Sequence, residues 1–224
     1  MGMRTVITGA SGALGEAVVA AFHARGDWIV ALDCVRSDRL PAGVAQIACK
    51  DLADERKASA AMVQAAERMG GIDNLVNLAG AFDWVPFVEA ENDTFARLYR
   101  ANILTAASTI RGGLAVMGKG GIIVCIGAAS AQPAGEGMAA YAAAKSGVAR
   151  LVEALSQELR ERSIRINALL PSIIDTPRNR ADMPDADPAE WTSPAAIADV
   201  IAFLCSPQSR AINGASLHVT NGVQ

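Results

Sequence analysis

No apolar run of eighteen uncharged residues occurs in this chain, so nothing in it reads as a membrane-spanning helix. No block of basic residues occurs either. The 20 Lys and Arg against 23 Asp and Glu leave a net charge of −3, which argues against a nucleic-acid footprint. Cysteine is scarce: Cys34, Cys49, Cys125 and Cys205 lie far apart, with neither metal spacing nor a disulfide framework, so no metal site is expected. Cys125 sits in an apolar run and reads as a buried free thiol. The two histidines, His23 and His218, have no catalytic or metal partner in view and read as structural. The first residues lead into a strand without the basic region, apolar core and cleavage site of a secretory signal. Repeats, low-complexity tracts and linkers are also lacking. These absences leave the expectation of a cytoplasmic protein in a reducing compartment that binds a small molecule.

What is present points to one domain. A length of 224 residues suits one large domain and is short for two. Half the residues are apolar, and alanine and glycine are plentiful, as close helix–sheet packing requires. Strand-like runs at 3–8, 28–32, 44–49, 72–77, 122–126, 164–170 and 215–219 alternate with helical patterns at 16–25, 54–69, 92–116, 138–162 and 194–205. The glycines of 118–121 are read as breaking the third helix, and Pro171 as stopping the sixth strand. Repeated strand–helix units imply an α/β fold: a single Rossmann-type doubly wound parallel sheet of about seven strands with helices on both faces. Residues 175–193, rich in proline and charge, form the one long irregular stretch, and a loop of that length reads as a lid over the active site.

The first strand runs into Gly9-Ala10-Ser11-Gly12-Ala13-Leu14-Gly15 and then an apolar helix. Strand, glycine turn and helix are the context a dinucleotide loop needs: the glycines admit the pyrophosphate, and the first helical amides face it. The second strand ends in Asp33, eighteen residues beyond Gly15, near the offset for a carboxylate that bonds the adenosine ribose. Tyr141 and Lys145 stand four residues apart on a predicted helix, so they share one face. An ammonium beside a phenol is expected to lower the phenol's pKa and make it a proton donor or acceptor. In open sheets of this kind the ligand lies beyond the carboxyl ends of the strands, which here supply Gly9, Asp33, Asn77, Gly127 and Pro171.

Together these residues resemble the short-chain dehydrogenase/reductase family over essentially the whole chain. Thr8-Gly9 with Gly15 looks like its cofactor loop, and Asn77-Leu78-Ala79-Gly80 like its N-x-A-G strand end. Asn102, Tyr141 and Lys145 match the catalytic asparagine, tyrosine and lysine, and Pro171 with Thr176 matches the segment that cradles the nicotinamide. The resemblance implies that Tyr141 exchanges the proton, that Lys145 holds the nicotinamide ribose and tunes Tyr141, and that Asn102 holds a relay water. The implied cofactor contacts are Gly9, Ser11, Gly12, Ala13, Leu14, Gly15, Asp33, Asp51, Leu52, Asn77, Ala79, Gly80, Tyr141, Lys145, Pro171, Ile174 and Thr176. Asp51 would touch the adenine. The family also implies a homodimer or homotetramer, packed through the helices at 92–116 and 138–162, with the alanines 139, 140 and 142–144 allowing close approach.

Two departures stand out. The middle loop glycine is replaced by Ala13, with Gly12 one position earlier. The family's catalytic serine, thirteen residues before the tyrosine, is Ala128 here. Ser130 either reaches inward on a rearranged loop or is a solvated hydroxyl. The G-A-L-G loop, Ala128 and the lid residues Asp175-Thr176-Pro177, Asn179-Arg180 and Met183-Pro184 resemble the dihydropteridine reductase branch, although Asn102 does not fit it. The leading expectation is therefore reduction of a dihydropterin-like ring. Reduction or oxidation of ordinary carbonyls and alcohols (oxoacyl, sugar) is the alternative, and a non-catalytic dinucleotide sensor is a third. Asp33 favours NAD(H), with NADP(H) still possible through Arg36 and Arg39. Phe82, Trp84 and Phe87 either stack on a flat substrate or pack the lid. Met183 and Trp191 would cover the crevice, and Arg180 either contacts substrate or forms an ion pair within the lid.

Overall fold

Residues 2–221 are described in the computed structural model of the chain. Seven parallel strands form one sheet: β1 (Arg4–Thr8), β2 (Trp28–Asp33), β3 (Ala45–Ala48), β4 (Ile72–Asn77), β5 (Met117–Ile126), β6 (Arg165–Pro171) and β7 (Ser216–Val219). Their order is β3-β2-β1-β4-β5-β6-β7. The helices are α1 (Ala13–Ala24), α2 (Glu55–Met69), α3 (Asn92–Tyr99), α4 (Thr105–Val116), α5 (Ala139–Glu158), α6 (Pro177–Asp182) and α7 (Pro194–Leu204).

Successive strand residues point to opposite faces, and both faces are covered, so the inner strands read as unbroken apolar runs. Val6, Leu32, Leu75, Ile123 and Ile166 join one core with Met62 of α2, Ile110 of α4 and Val148 of α5. Their neighbours Ile7, Ala31, Val76, Val124 and Leu169 join the other with Phe22 of α1 and Ile197 of α7. Each fully buried Leu or Ile contributes about 1.5–3 kcal/mol through area removed from water. The chain winds outward in one direction from β1 to β3 and in the other from β4 to β7, and the reversal between β1 and β4 opens a crevice at the carboxyl ends of these strands.

The structure revises several sequence expectations. The helix read at 92–116 is divided by a π-helical turn, Arg100–Leu104. There the Thr105 amide bonds the Arg100 carbonyl, five residues back. The glycines at 118–121 do end a helix, but they lie inside β5 as an irregularity. Ile72 pairs with Met117 while Asn74 pairs with Ile122, so extra β5 residues loop out between the two pairings. Pro171 is the last residue of β6, paired with Val219, rather than a stop before it. The stretch 175–193 is not bare loop. Thr176 caps α6 by accepting from the Asn179 amide at 3.1 Å, with Pro177 in the first turn. The two ends of that stretch are tied together by an Ile174–Thr192 bridge. Ala140, Ala142 and Ala144 are buried inside the chain because they face the core, which leaves only Ala139 and Ala143 of the alanine set for contact with another copy.

Candidate active site

A cleft of about 790 Å³ lies over the carboxyl ends of β1, β2 and β4. Its floor is the loop after β1. Gly9 adopts φ +67, and a Cβ there would lie 2.8 Å from the Ala79 amide. At Gly15 a Cβ would lie 2.1 Å from the Gly9 carbonyl oxygen. The cap of α1 is Gly12, which offers no side chain to the first helical amides, and Ser11, Gly12, Ala13, Leu14 and Gly15 all line the cleft. An uncapped helix start over a glycine cradle suits a phosphate. Asp33 is fixed at the rim: one carboxylate oxygen accepts from the Ser11 amide at 2.8 Å, the other from the Cys34 amide at 2.6 Å. Asp51 and Leu52 also line the cleft. Asp51 accepts from the Arg100 guanidinium at 2.5 Å and from the Ala53 amide at 3.1 Å. Cradle, helix start and fixed carboxylate together fit a dinucleotide.

Asn77, expected as a direct contact, lies beneath the cleft. Its Nδ2 donates to Thr109 Oγ1 at 2.8 Å, and its Oδ1 accepts from Thr8 Oγ1 at 2.8 Å. Thr8 Oγ1 in turn accepts from the Leu78 and Ala79 amides at 3.2 Å. This knot sets the height of Ala79 and Gly80, which do line the cleft. Pro171 is likewise absent from the lining. It is buried in β6, and its carbonyl accepts from the Ala129 amide at 2.8 Å. Ile174 and Thr176 border the cleft.

Asn102 stands in the π-helical turn, 1% exposed. Its Nδ2 donates to the carbonyls of Ala81 and Leu98 at 2.9 Å each, and its Oδ1 accepts from the Ala81 amide at 3.3 Å. The side chain is thus committed to the loop after β4 and does not line the cleft; it acts here as a positioning group. At Gly80 a Cβ would meet Asn102 Oδ1 at 2.5 Å and Lys145 Nζ at 3.2 Å.

Tyr141 and Lys145 lie one turn apart on α5, and both line the cleft. Lys145 Nζ donates to the Ile126 carbonyl at 3.0 Å and lies 5.9 Å from the Tyr141 ring centroid. The Phe82 ring stands edge-on to Tyr141, with centroids 4.9 Å apart. The expected lowering of the tyrosine pKa does not occur, because burial outweighs the lysine charge. Burial pushes the Tyr141 phenol up to about 12 and the Lys145 ammonium down to about 8. Cys125, buried behind Lys145, is pushed up to about 12 for the same reason, so its thiol is inert.

Ala128 is buried against Ala131, Ala142, Met138 and Tyr141, where it supplies no donor. Ser130 is exposed and outside the lining, so it does not take over that position. Trp84 fastens one loop to another rather than lining the cleft: its Nε1 donates to the Glu136 carbonyl at 2.9 Å, and its indole covers Gly137. Arg180 is held by both oxygens of Asp175 at 2.6 and 2.8 Å, an ion pair within the 175–193 segment. Met183 ends α6 outside the lining, and Trp191 is buried. Three functional groups escaped the sequence reading: the Thr8 hydroxyl, the Ile126 carbonyl and Arg100. Only Thr8 carried a local signal, from its place beside Gly9. Among the described residues no group of three or more His, Cys, Asp or Glu gathers as for a metal, and no helix is long and apolar enough to cross a membrane.

A family model described as enoyl-(acyl carrier protein) reductase matches residues 9–224. L-xylulose reductase of Bos taurus is 28% identical over 239 residues, covering 99% of this chain and 96% of its own length. L-rhamnose 1-dehydrogenase (NAD(P)(+)) of Sphingomonas sp. strain SKA58 is 30% identical over 248 residues, with the same two coverages of 99% and 96%. The solved structure of a short-chain dehydrogenase/reductase (glucose/ribitol dehydrogenase) from Brucella melitensis superposes with a TM-score of 0.88 at 30% identity, over 100% of this chain and 99% of that one. These relatives are named for sugars, so the narrower likeness to dihydropteridine reductases is not what the comparisons support. The chain belongs to the short-chain dehydrogenase/reductase family of NAD(P)-dependent oxidoreductases.

Proposed function

We propose that this chain moves hydride between a nicotinamide dinucleotide and the carbonyl or alcohol carbon of a small molecule, with Tyr141 exchanging the proton. One observation carries the reading: Tyr141 and Lys145 open from one helix face onto the same cleft that the glycine loop floors. The bound dinucleotide supplies or accepts the hydride. The amides of Ser11–Gly15 would take its phosphates, Asp33 its adenosine ribose, and Lys145 its second ribose, while Ile174 and Thr176 border the nicotinamide. A phenol raised toward 12 stays protonated at neutral pH, which suits it to donate in the direction of reduction. The neighbouring ammonium then steadies the phenolate that remains. Asn102 acts indirectly, by holding Ala81 and with it the wall beside Tyr141.

The NAD(H) preference rests on Asp33, whose carboxylate would meet a 2′-phosphate as a like charge. Arg39, the cation nearest the loop, is engaged by Glu16 at 2.7 Å. Ala128 favours a substrate that gathers little charge on one oxygen, as a conjugated dihydropterin-like ring would. The sugar names of the relatives favour an ordinary carbonyl or alcohol instead. The 175–193 segment would serve as the lid, and α5 with the α3–α4 pair as the contact of a homodimer or homotetramer. NADH and NADPH oxidation against quinonoid dihydropterin and a panel of carbonyls tests these readings. Turnover that Tyr141→Phe leaves unchanged would remove the phenol from the mechanism. Tight NADH binding with no turnover on any member of the panel would favour a sensor.

A further inference from the structure

We infer that the substrate carries a flat, largely apolar or conjugated face next to its reacting carbon, and that Phe82 selects for it; this rests on the hydride-transfer reading above. Phe82 lines the cleft, is 46% exposed, and meets Tyr141 at 87°. One edge of its ring is spent on the phenol, and the exposed remainder borders the space the phenol serves. Its position is preset. Ala81 is bonded through both its amide and its carbonyl to Asn102. Two residues on, Trp84 is bonded to Glu136, and Val85 donates to the Gly137 carbonyl at 2.9 Å. A ring held between two pinned neighbours loses little freedom when it meets a ligand.

The surroundings of Tyr141 are poor in polar groups. Leu78, Ala79, Ala81, Ile126 and Ile174 supply most of the wall beside Phe82. Lys145 and Thr176 are the polar side chains there, and Thr176 Oγ1 is already engaged with the Asn179 amide. Arg97, the charge nearest the loop, is paired with Asp83. Ala128 removes one more donor. A polyol entering this end would leave several hydroxyls without partners, and unpaired buried hydroxyls discriminate strongly against a ligand. A flat unsaturated ring would gain an edge or face contact with Phe82. The wall therefore suits a substrate unlike the sugars for which the relatives are named.

The test compares NADH-dependent reduction of 1-tetralone, a bicyclic aryl ketone, with that of L-xylulose, using the wild type, Phe82→Ala and Phe82→Leu, with NADH affinity titrated separately by fluorescence. The wild type should favour the aryl ketone by about tenfold or more in kcat/KM. Phe82→Ala should lose about tenfold on that ketone, chiefly in KM, while L-xylulose kinetics and NADH affinity stay within about twofold. Phe82→Leu, which keeps bulk without the ring, should fall between. A wild-type preference for L-xylulose overturns the inference, and so does an equal loss on both substrates in Phe82→Ala, which would mark Phe82 as merely structural. NADH binding with neither ketone reduced overturns the hydride-transfer reading and this inference with it, an outcome distinct from turnover with the wrong preference.

Discussion

Replacing Lys145 with methionine should make the folded chain more stable at neutral pH while abolishing turnover. The ammonium is 6% exposed and makes one recorded hydrogen bond, to the Ile126 carbonyl. Burial lowers its pKa from 10.5 to about 8. At about 1.36 kcal/mol per unit, that difference holds roughly 3 kcal/mol against folding while the group is charged. Methionine keeps an apolar stem of similar length, and loss of the hydrogen bond gives back about 1 kcal/mol. The expected net gain at pH 7 is about 2 kcal/mol. Its pH dependence has a definite sign. The unfolded lysine keeps its proton until about 10.4, whereas the folded one releases it near 8, so the unfolded state binds more protons in between. The wild type therefore gains stability as pH rises through that window, and the advantage of Lys145→Met fades by about pH 10.5. Tyr141 is present in both proteins, so its own titration near 12 cancels to first order. Urea unfolding of the cofactor-free proteins at pH 7 and pH 10 measures both quantities. A variant less stable than wild type at pH 7, or a stability gap that does not change with pH, would refute the reasoning.

Three further outcomes are expected. Tyr141→Phe should lower kcat by roughly 10²–10⁴ with NADH affinity nearly unchanged, because only proton exchange is removed; stopped-flow hydride transfer reads this directly. Ala128→Ser places a hydroxyl in the cluster that packs on Tyr141, and it should raise kcat on carbonyl substrates by about tenfold or more; an unchanged kcat would mean that the reacting oxygen does not lie near residue 128. Gly15→Ala forces a methyl to within 2.1 Å of the Gly9 carbonyl oxygen, so the loop must shift, and calorimetric NADH binding should weaken by at least about tenfold even where circular dichroism shows a folded chain.

Fold class was legible because both sheet faces are covered, which turns strands such as Thr5-Val6-Ile7 and Leu75-Val76 into apolar runs between helical patterns. Boundaries were less legible wherever the backbone departs from a regular repeat. The π-helical turn at Arg100–Leu104 has ordinary helix-forming residues, and only the tertiary need to bury Asn102 marks it. At the site, the glycine loop, Asp33 and the Tyr141/Lys145 pair were readable because their spacing is local. The buried orientation of Asn77 and the commitment of Arg180 to Asp175 were not, since each depends on which way a side chain turns. The pKa of Tyr141 went the opposite way for a related reason: sequence spacing reveals the nearby charge but not how much water is left around the pair.

The widened turn at Arg100–Leu104 has a consequence for how this chain can vary. It fits one surplus residue into an otherwise continuous α3–α4 rod. Deleting a single residue there would restore regular winding and swing everything downstream by roughly 100° about the axis. Ser108, Thr109, Ile110, Gly112 and Gly113, now packed inward, would be turned toward solvent. At Gly112 even a Cβ would come within 2.9 Å of the Ser59 backbone, so α2 has no slack to follow such a rotation. Insertions and deletions within this rod should therefore be far more damaging than substitutions at the same positions.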